Sequence, residues 1–278
     1  MNKILCSTGT ITGRANGRNI KLLDECISSL KCDGYELMMY EDWYAKLDQI
    51  EAYVTSLPLS FPVLHADKFI GQLISSNEIS DNERALERFE INCALARKIG
   101  AQTVVLHLWN GVVSDSNISK NVDAYRHLRA ISDRYALTLA VENVVCNCHD
   151  PMTHLKALAT RYDDIRFTFD TKMAAFHSQL EEIYKPENRW LTRRTVHMHV
   201  NDYAGTHMDW ANLRTLHIGK GNIDFERFFD FISSVRYDGF FTLECTSFDF
   251  EGKLHLDELN LSIGRVREMS ANDSNHKI

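Results

Sequence analysis

Acidic and imidazole side chains recur at the ends of short apolar segments in the second half of the chain. Asp170 follows Glu142 by 28 residues, His199 follows Asp170 by 29, and Glu244 comes next. Burying a lone carboxylate costs free energy, whereas a shared divalent cation removes that cost and keeps the groups ionised. Three carboxylates and one imidazole suit Mn²⁺ best, with Mg²⁺, Co²⁺ and Zn²⁺ as further candidates. The pattern therefore predicts one divalent metal site.

The segments that carry these residues alternate with amphipathic segments. The apolar, β-branched or aromatic runs predict eight strands, at 3–11, 35–40, 61–66, 103–109, 137–144, 165–171, 195–202 and 240–247. The segments between them predict helices at 19–30, 41–57, 82–100, 122–136, 151–162, 174–184, 225–235 and 254–269. Asp150 and Asp224 stand where an N-cap would start two of these helices.

Strict alternation of strands and helices predicts an α/β fold with parallel strands and right-handed crossovers. Eight such units predict closure into a (β/α)8 TIM barrel, which would place all the strand-end residues at one mouth. The alternative is an open doubly wound sheet. The sequence argues against this alternative because no glycine-rich phosphate loop follows the first strand. We expect one barrel domain over 1–270 and a frayed tail over 271–278.

Length and composition agree with a barrel and exclude some classes of protein. The chain has 278 residues, and one such barrel takes about 250. A net charge of −7 argues against a nucleic-acid binder. Since no segment resembles a signal peptide or a membrane helix, we expect a cytoplasmic protein with no membrane partner. Its 7 cysteines should be reduced and mostly buried. The oligomeric state stays open, with a homo-oligomer as one alternative.

Several motifs resemble those of the xylose isomerase-like TIM barrels. This superfamily contains sugar and sugar phosphate isomerases, ketose 3-epimerases, inosose dehydratases and the endonuclease IV branch. The resemblance covers nearly the whole chain. The motifs are VVLH (104–107), VEN (141–143), FDT (169–171), HMHVND (197–202), HIGKGNIDFERFF (217–229) and YDGFFTLE (237–244). The last three of these motifs are the most specific.

The resemblance implies residue roles as well as a fold. In the epimerase branch four positions bind the metal. The residues that match them in this sequence are Glu142, Asp170, His199 and Glu244. The two glutamates would also be the catalytic acid/base pair. Of the two histidines in HMHVND, we expect His199 to face the metal and the other, His197, to pack against the helices.

Further positions would bind the substrate. The resemblance places His65 and His107 in the pocket, although their counterparts bind additional metals in the endonuclease branch. Trp109 could form an apolar wall for a sugar. Lys172 could contact an enolate, a phosphate or a carboxylate of the substrate, but a snorkelling surface lysine is the alternative. Asn201 completes this predicted set.

The sequence also departs from the family pattern. Met173 stands where the family often has a strand-six histidine, and Leu213 and Thr215 replace an Asp-x-His pair of the endonuclease branch. A three-metal nuclease site is therefore incomplete. Six histidines on helices or loops are expected to be solvated, namely His127, His149, His154, His207, His255 and His276.

The implied function is that of a divalent-metal-dependent sugar or sugar phosphate isomerase or epimerase. It would use the glutamate pair for proton transfer next to a carbonyl, through an enediolate. An inosose-type dehydratase needs the same groups and is one alternative. A non-catalytic sugar-binding barrel is another, and an endonuclease IV-like DNA repair enzyme is the least favoured.

Overall fold

Eight parallel strands form a closed sheet in the computed structural model, which describes residues 2–271. The strands are β1 (Ile4–Ser7), β2 (Gly34–Met38), β3 (Val63–His65), β4 (Thr103–Leu106), β5 (Thr138–Glu142), β6 (Arg166–Asp170), β7 (Thr195–His199) and β8 (Phe240–Leu243). They follow chain order, and β8 pairs with β1. The predicted (β/α)8 TIM barrel is confirmed and the open sheet is excluded. Each predicted strand is present but shorter.

Ten α-helices accompany the strands within the described residues. They are α1 (Leu23–Cys26), α2 (Leu47–Ser56), α3 (Phe69–Ser75), α4 (Ile79–Lys98), α5 (Ile118–Arg134), α6 (Pro151–Arg161), α7 (Thr171–Phe176), α8 (Arg189–Arg194), α9 (Phe225–Ser234) and α10 (Leu256–Ala271). Two N-caps occur as predicted. Asp150 accepts the Thr153 N–H at 2.9 Å and Asp224 accepts the Arg227 N–H at 3.0 Å, which satisfies backbone donors that the helix itself leaves unpaired.

Other helices differ from the sequence prediction. The helix expected at 174–184 is replaced by α7, which begins at Thr171 because Asp170 caps it, and by a 3-10 turn at Leu180–Tyr184. Ser178, at φ 55°, separates the two in the left-handed conformation. Helices α3 and α8 were not predicted. Ala271 is the last residue of α10, and the rest of the predicted tail, 272–278, lies outside the described residues.

The chain divides into two compact units, of which the first contains Met1–Tyr35 and Phe169–Ile278. Within it β8 lies between β7 and β1, with Thr242 opposite His199 and Phe241 opposite Ile4. Its core is rich in phenylalanine, and the rings of Phe229 and Phe241 lie 5.1 Å apart between centroids. The three strands thus have fixed registers, which set where their carboxyl ends fall.

The second unit contains Glu36–Thr168. It contains β3, β4 and β5 with parts of β2 and β6. Met38 lies opposite His65, and Glu142 lies opposite Thr168. Trp109 and Tyr125 are among its fully buried side chains. The single domain over 1–270 stays a prediction.

No helix among residues 2–271 has the length and apolar character needed to cross a membrane. All seven cysteines are free thiols, and five of them are buried, as predicted. Cys148 is exposed and Cys32 is partly exposed.

Candidate metal and substrate site

Three of the predicted metal ligands come together in the first unit. Asp170 ends β6, His199 ends β7 and Glu244 follows β8. His199 Nδ1 lies 3.4 Å from Glu244 Oε2 and 3.9 Å from Asp170 Oδ2. The side chains of Asp170 and His199 have no exposed surface, and that of Glu244 is 8% exposed. We call these three residues the acidic cluster.

Asn201 links the carboxylates of the acidic cluster. Its Nδ2 donates to Asp170 Oδ2 at 3.3 Å and to Glu244 Oε2 at 3.4 Å. Its Oδ1 accepts the Glu244 backbone N–H at 2.8 Å. Asp170 Oδ1 accepts the Met173 N–H at 2.8 Å as the α7 cap. These hydrogen bonds orient both carboxylates.

The donor set of the acidic cluster fits a divalent cation. One buried and one largely buried carboxylate beside a histidine concentrate negative charge, which a cation of charge +2 would compensate. Oxygen donors with one imidazole nitrogen suit Mn²⁺, Mg²⁺, Co²⁺ and Zn²⁺. The residues present therefore fit the predicted metal chemically.

His197 does not lie on the opposite face from His199, so that expectation is wrong. The two rings are 5.0 Å apart between centroids, and neither has exposed surface. Residues two apart in a strand point to the same face of the sheet, which is the physical reason for the correction.

In the second unit, Glu142 is surrounded by two histidines. Its Oε2 lies 2.7 Å from His107 Nε2 and 3.3 Å from His65 Nε2. Burial, opposed by the Glu142 charge, lowers the pKa of His107 to about 4, so its imidazole is neutral at pH 7. The other nitrogen of His65, Nδ1, donates to the Ala66 carbonyl at 2.8 Å, because a carbonyl oxygen only accepts. Both rings thus contact the Glu142 carboxylate, and the roles of His65 and His107 in substrate binding stay predictions.

Trp109 lies in the interior of the second unit. It has no exposed surface, and its Nε1–H donates to the Val144 carbonyl at 3.1 Å. Its ring packs edge-on against His154, with centroids 5.2 Å apart. The bond to Val144 fixes the start of the loop that follows Glu142. The predicted wall for a sugar is not tested by these contacts.

Sequence reasoning missed Asp115, which organises that same loop. Its Oδ1 accepts the N–H groups of Asn147 and Cys148, and its Oδ2 accepts the N–H of His149, all at 2.8–2.9 Å. The fourth partner is His154, whose Nε2 lies 2.9 Å from Asp115 Oδ2. His154 is 2% exposed, so the expectation that it is solvated was wrong. Asp115 and His154 are 39 residues apart in the chain, so no local sequence pattern indicates that they contact each other.

Asp115 is held in its charged form. Burial raises the pKa of its carboxyl, but the hydrogen bonds from His154 and from the three backbone N–H groups outweigh burial and lower the pKa well below its ordinary value. We call Asp115, His154 and the 144–149 loop the anchored loop. It directly follows Glu142 and Asn143 in the chain.

Lys172 lies in the first turn of α7, two residues after Asp170. Its side chain is 7% exposed, and Nζ donates to Thr215 Oγ1 at 2.9 Å. The snorkelling surface lysine is therefore excluded. Its contact with a substrate stays a prediction, as does that of Asn201.

Comparison with known proteins adds a family and a fold. A family model described as "Xylose isomerase-like TIM barrel" matches residues 26–262. No curated protein matches the sequence.

Solved structures of similar fold cover nearly the whole chain at low identity. One is an L-ribulose 3-epimerase, 17% identical, with a TM-score of 0.69 and 100% of each chain covered. Another is an IOLI protein with a bound zinc atom, 15% identical, with a TM-score of 0.66, covering 98% of this chain and 97% of that one. A third is a D-allulose 3-epimerase from Methylomonas sp., 13% identical, with a TM-score of 0.66, covering 96% of this chain and 98% of that one. At such identities the likeness concerns the fold.

Proposed function

Because this chain belongs to the xylose isomerase-like TIM barrel family, we propose that it is a divalent-metal-dependent isomerase or epimerase of a sugar or sugar phosphate. The observation that carries the proposal is the acidic cluster, in which the buried Asp170 and His199 and the largely buried Glu244 converge at the ends of consecutive strands. The names of the structural neighbours, which include an L-ribulose 3-epimerase and a D-allulose 3-epimerase, support this reaction class. Fold alone does not choose a function, so the site residues carry most of the argument.

The proposed metal ligands are Glu142, Asp170, His199 and Glu244. Each stands at or just beyond the carboxyl end of its strand, where TIM barrels build their active sites. The donor set favours Mn²⁺, and Mg²⁺, Co²⁺ or Zn²⁺ would also suit it. When bound, such an ion polarises a substrate carbonyl as a Lewis acid.

The glutamates would perform the proton transfer. One of Glu142 and Glu244 removes the proton from the carbon next to the carbonyl, which gives an enediolate of the substrate. The other returns a proton, on the opposite face for an epimerisation. Asn201 orients Glu244 through the hydrogen bonds described above, and His65 with His107 orient Glu142. A carboxylate that is already oriented by its neighbours does not have to reorganise when the substrate binds. Such positioning lowers the activation barrier of the proton transfer.

The first test is elemental analysis of the purified protein after supplementation with divalent metals, with Asp170→Asn beside it. We expect one equivalent of Mn, Mg, Co or Zn in the wild type and a large loss in the variant, because a ligand oxygen becomes a weakly binding amide. Asp249→Asn is the matched control, since Asp249 is a partly exposed acid that contacts His255 and lies outside the acidic cluster.

Metal content then decides which reaction to examine. With one equivalent bound, ketoses and inososes are screened for metal-dependent exchange of a carbon-bound proton with solvent, and loss of water instead of exchange would indicate a dehydratase. Two or three equivalents would favour a nuclease-like site. If no divalent ion binds, the proposed function is wrong and a sugar-binding barrel becomes the better hypothesis.

A further inference from the structure

Lys172 is a buried lysine that has no carboxylate partner in the part of the chain that the structure describes. Among residues 2–271 no carboxylate oxygen lies within 4.0 Å of its Nζ, and the polar contact it makes is to the Thr215 hydroxyl. Other lysines of the chain show the opposite combination. Lys98 and Lys185 are 55% and 45% exposed, and each contacts a glutamate at 2.6 Å.

This combination is costly unless something else compensates the charge. Lysines are almost never fully buried unless they are paired, since taking an ammonium out of water costs free energy. A neutral hydroxyl satisfies one of the three ammonium protons but brings no negative charge. The position of Lys172 is therefore explained if an anionic group binds there.

Lys172 and Thr215 together form a set of donors for such a group. Two ammonium protons remain after the bond to Thr215, and the Thr215 oxygen accepts that bond, so its own proton can be donated elsewhere. Thr215 is only half-buried, which leaves an approach from solvent. Charge-assisted hydrogen bonds of this kind are stronger than neutral ones and are common in the binding of phosphates and carboxylates.

The pair also lies beside the acidic cluster. Lys172 belongs to the helical turn that Asp170 caps, and Asp170 accepts the N–H of the next residue, Met173. On the other side, Thr215 precedes Leu216, which pairs with Asp202 just after β7. An anion bound to Lys172 and Thr215 is thus attached to the same two strand ends that supply Asp170 and His199.

We propose that the substrate carries an anionic group, a carboxylate or a phosphate, and that Lys172 and Thr215 bind it. This inference rests on the proposed function, and it narrows the substrate class to sugar acids and sugar phosphates. Lys172 is then a specificity-determining residue. Neutral ketoses would leave its charge uncompensated and would bind more weakly.

The test compares three small ketones that share a hydroxyketone and have no stereocentre. Dihydroxyacetone is neutral, dihydroxyacetone phosphate carries a phosphate and hydroxypyruvate carries a carboxylate. Binding to the metal-loaded protein is measured by calorimetry. We expect at least one anionic ketone to bind at least about tenfold more tightly than dihydroxyacetone, and the Lys172→Met variant to lose that preference. Which of the two anions is preferred identifies the group.

Three further variants control this experiment. Lys220→Met removes a lysine that is 59% exposed on the neighbouring loop, and it should leave the preference unchanged. Lys172→Arg keeps the charge and should retain part of the preference. If Lys172→Met does not fold, Thr215→Val provides the second measurement, with a smaller loss expected.

The inference is overturned if neither anionic ketone binds more tightly than dihydroxyacetone, or if Lys172→Met keeps the wild-type preference. Its failure is distinct from failure of the proposed function. Metal-dependent proton exchange without a preference for anionic ketones would support the proposed function and contradict the inference about Lys172. A preference for anionic ketones in a protein that binds no divalent metal would support the anion site and contradict the proposed function.

Discussion

The two proposed acid/base glutamates differ in their surroundings. Glu142 Oε2 is within hydrogen-bonding distance of two imidazoles, at 2.7 and 3.3 Å. Glu244 Oε2 lies near His199 Nδ1 and Asn201 Nδ2, at 3.4 Å from each. Two carboxylates with different partners can differ in proton affinity, which is how one enzyme assigns the acid and base roles.

Replacing either glutamate should therefore slow the proton transfer strongly. For Glu142→Gln and Glu244→Gln we expect the rate of substrate proton exchange with solvent to fall by about 10²–10⁴-fold, the usual contribution of a positioned acid or base. The exchange rate is measured by NMR in D₂O, and the metal content of each sample is measured alongside. Glu251→Gln, on an exposed loop, is the control. Full activity in either variant would remove that glutamate from the mechanism.

Asp115 allows a prediction about stability and pH. Replacing it by Asn should reduce the free energy of unfolding at pH 7 by about 3–5 kcal/mol, because one partner of a buried pair is lost and the new amide N–H₂ faces the His149 N–H. Since the folded-state pKa is lowered, the stabilisation is complete above the unfolded pKa of about 3.9. It is lost as the pH falls through the folded pKa.

The measurement is urea unfolding of wild type and Asp115→Asn at a series of pH values. We expect the difference in stability to be constant near neutrality and to shrink below about pH 4. Asp133→Asn is the control, because the Arg129–Asp133 pair is largely exposed and should change stability by less than about 1 kcal/mol. A difference that grows as the pH falls would contradict the assigned ionisation of Asp115.

At the scale of elements, α3 packs closely against the segment that follows β4. A Cβ on Gly71 would lie 2.9 Å from the Trp109 carbonyl carbon and closer still to the His107 carbonyl oxygen. Both neighbours are backbone atoms, which cannot move aside as a flexible side chain could. Gly71 therefore permits the close approach of α3 to the residues that contact Glu142 and the anchored loop.

Gly71→Ala should destabilise the protein by about 1–3 kcal/mol, as overpacking of a close contact does. Gly264→Ala in α10 is the matched control, because no atom lies within 4 Å of its added Cβ, and alanine should stabilise the helix by up to about 1 kcal/mol. Thermal unfolding by circular dichroism measures both changes. Equal midpoints for the two variants would show that the contact at Gly71 is not restrictive.

The elements also show what the sequence can and cannot predict. Helices α6 and α9 were predicted because each begins at an aspartate N-cap and continues with an amphipathic pattern. Helices α3 and α8 have 7 and 6 residues and no side-chain cap. Helices of this length are marginal by themselves and depend on tertiary packing, so local sequence carries little signal for them.

At the scale of the whole molecule, the strand order follows from sequence because alternation and crossover handedness leave few topologies. The individual side-chain contacts of the site cannot be predicted from the sequence in the same way. That His65 and His107 both contact Glu142, and that Asp115 reaches His154, depends on side-chain packing between segments far apart in the chain. Sequence pattern predicts the strand that carries a residue better than it predicts that residue's neighbours.

The pairing of β1 with β8 has a consequence for the newly synthesised chain. Ile4 pairs with Phe241, so the first strand leaves the ribosome long before its partner is translated. Residues 36–168 form one uninterrupted unit, whereas the unit that holds the acidic cluster is built from both ends of the sequence. Domains generally fold as units during synthesis, the amino-terminal part first. Here the early β1 strand can pair with β8 only after residues 240–243 have been translated.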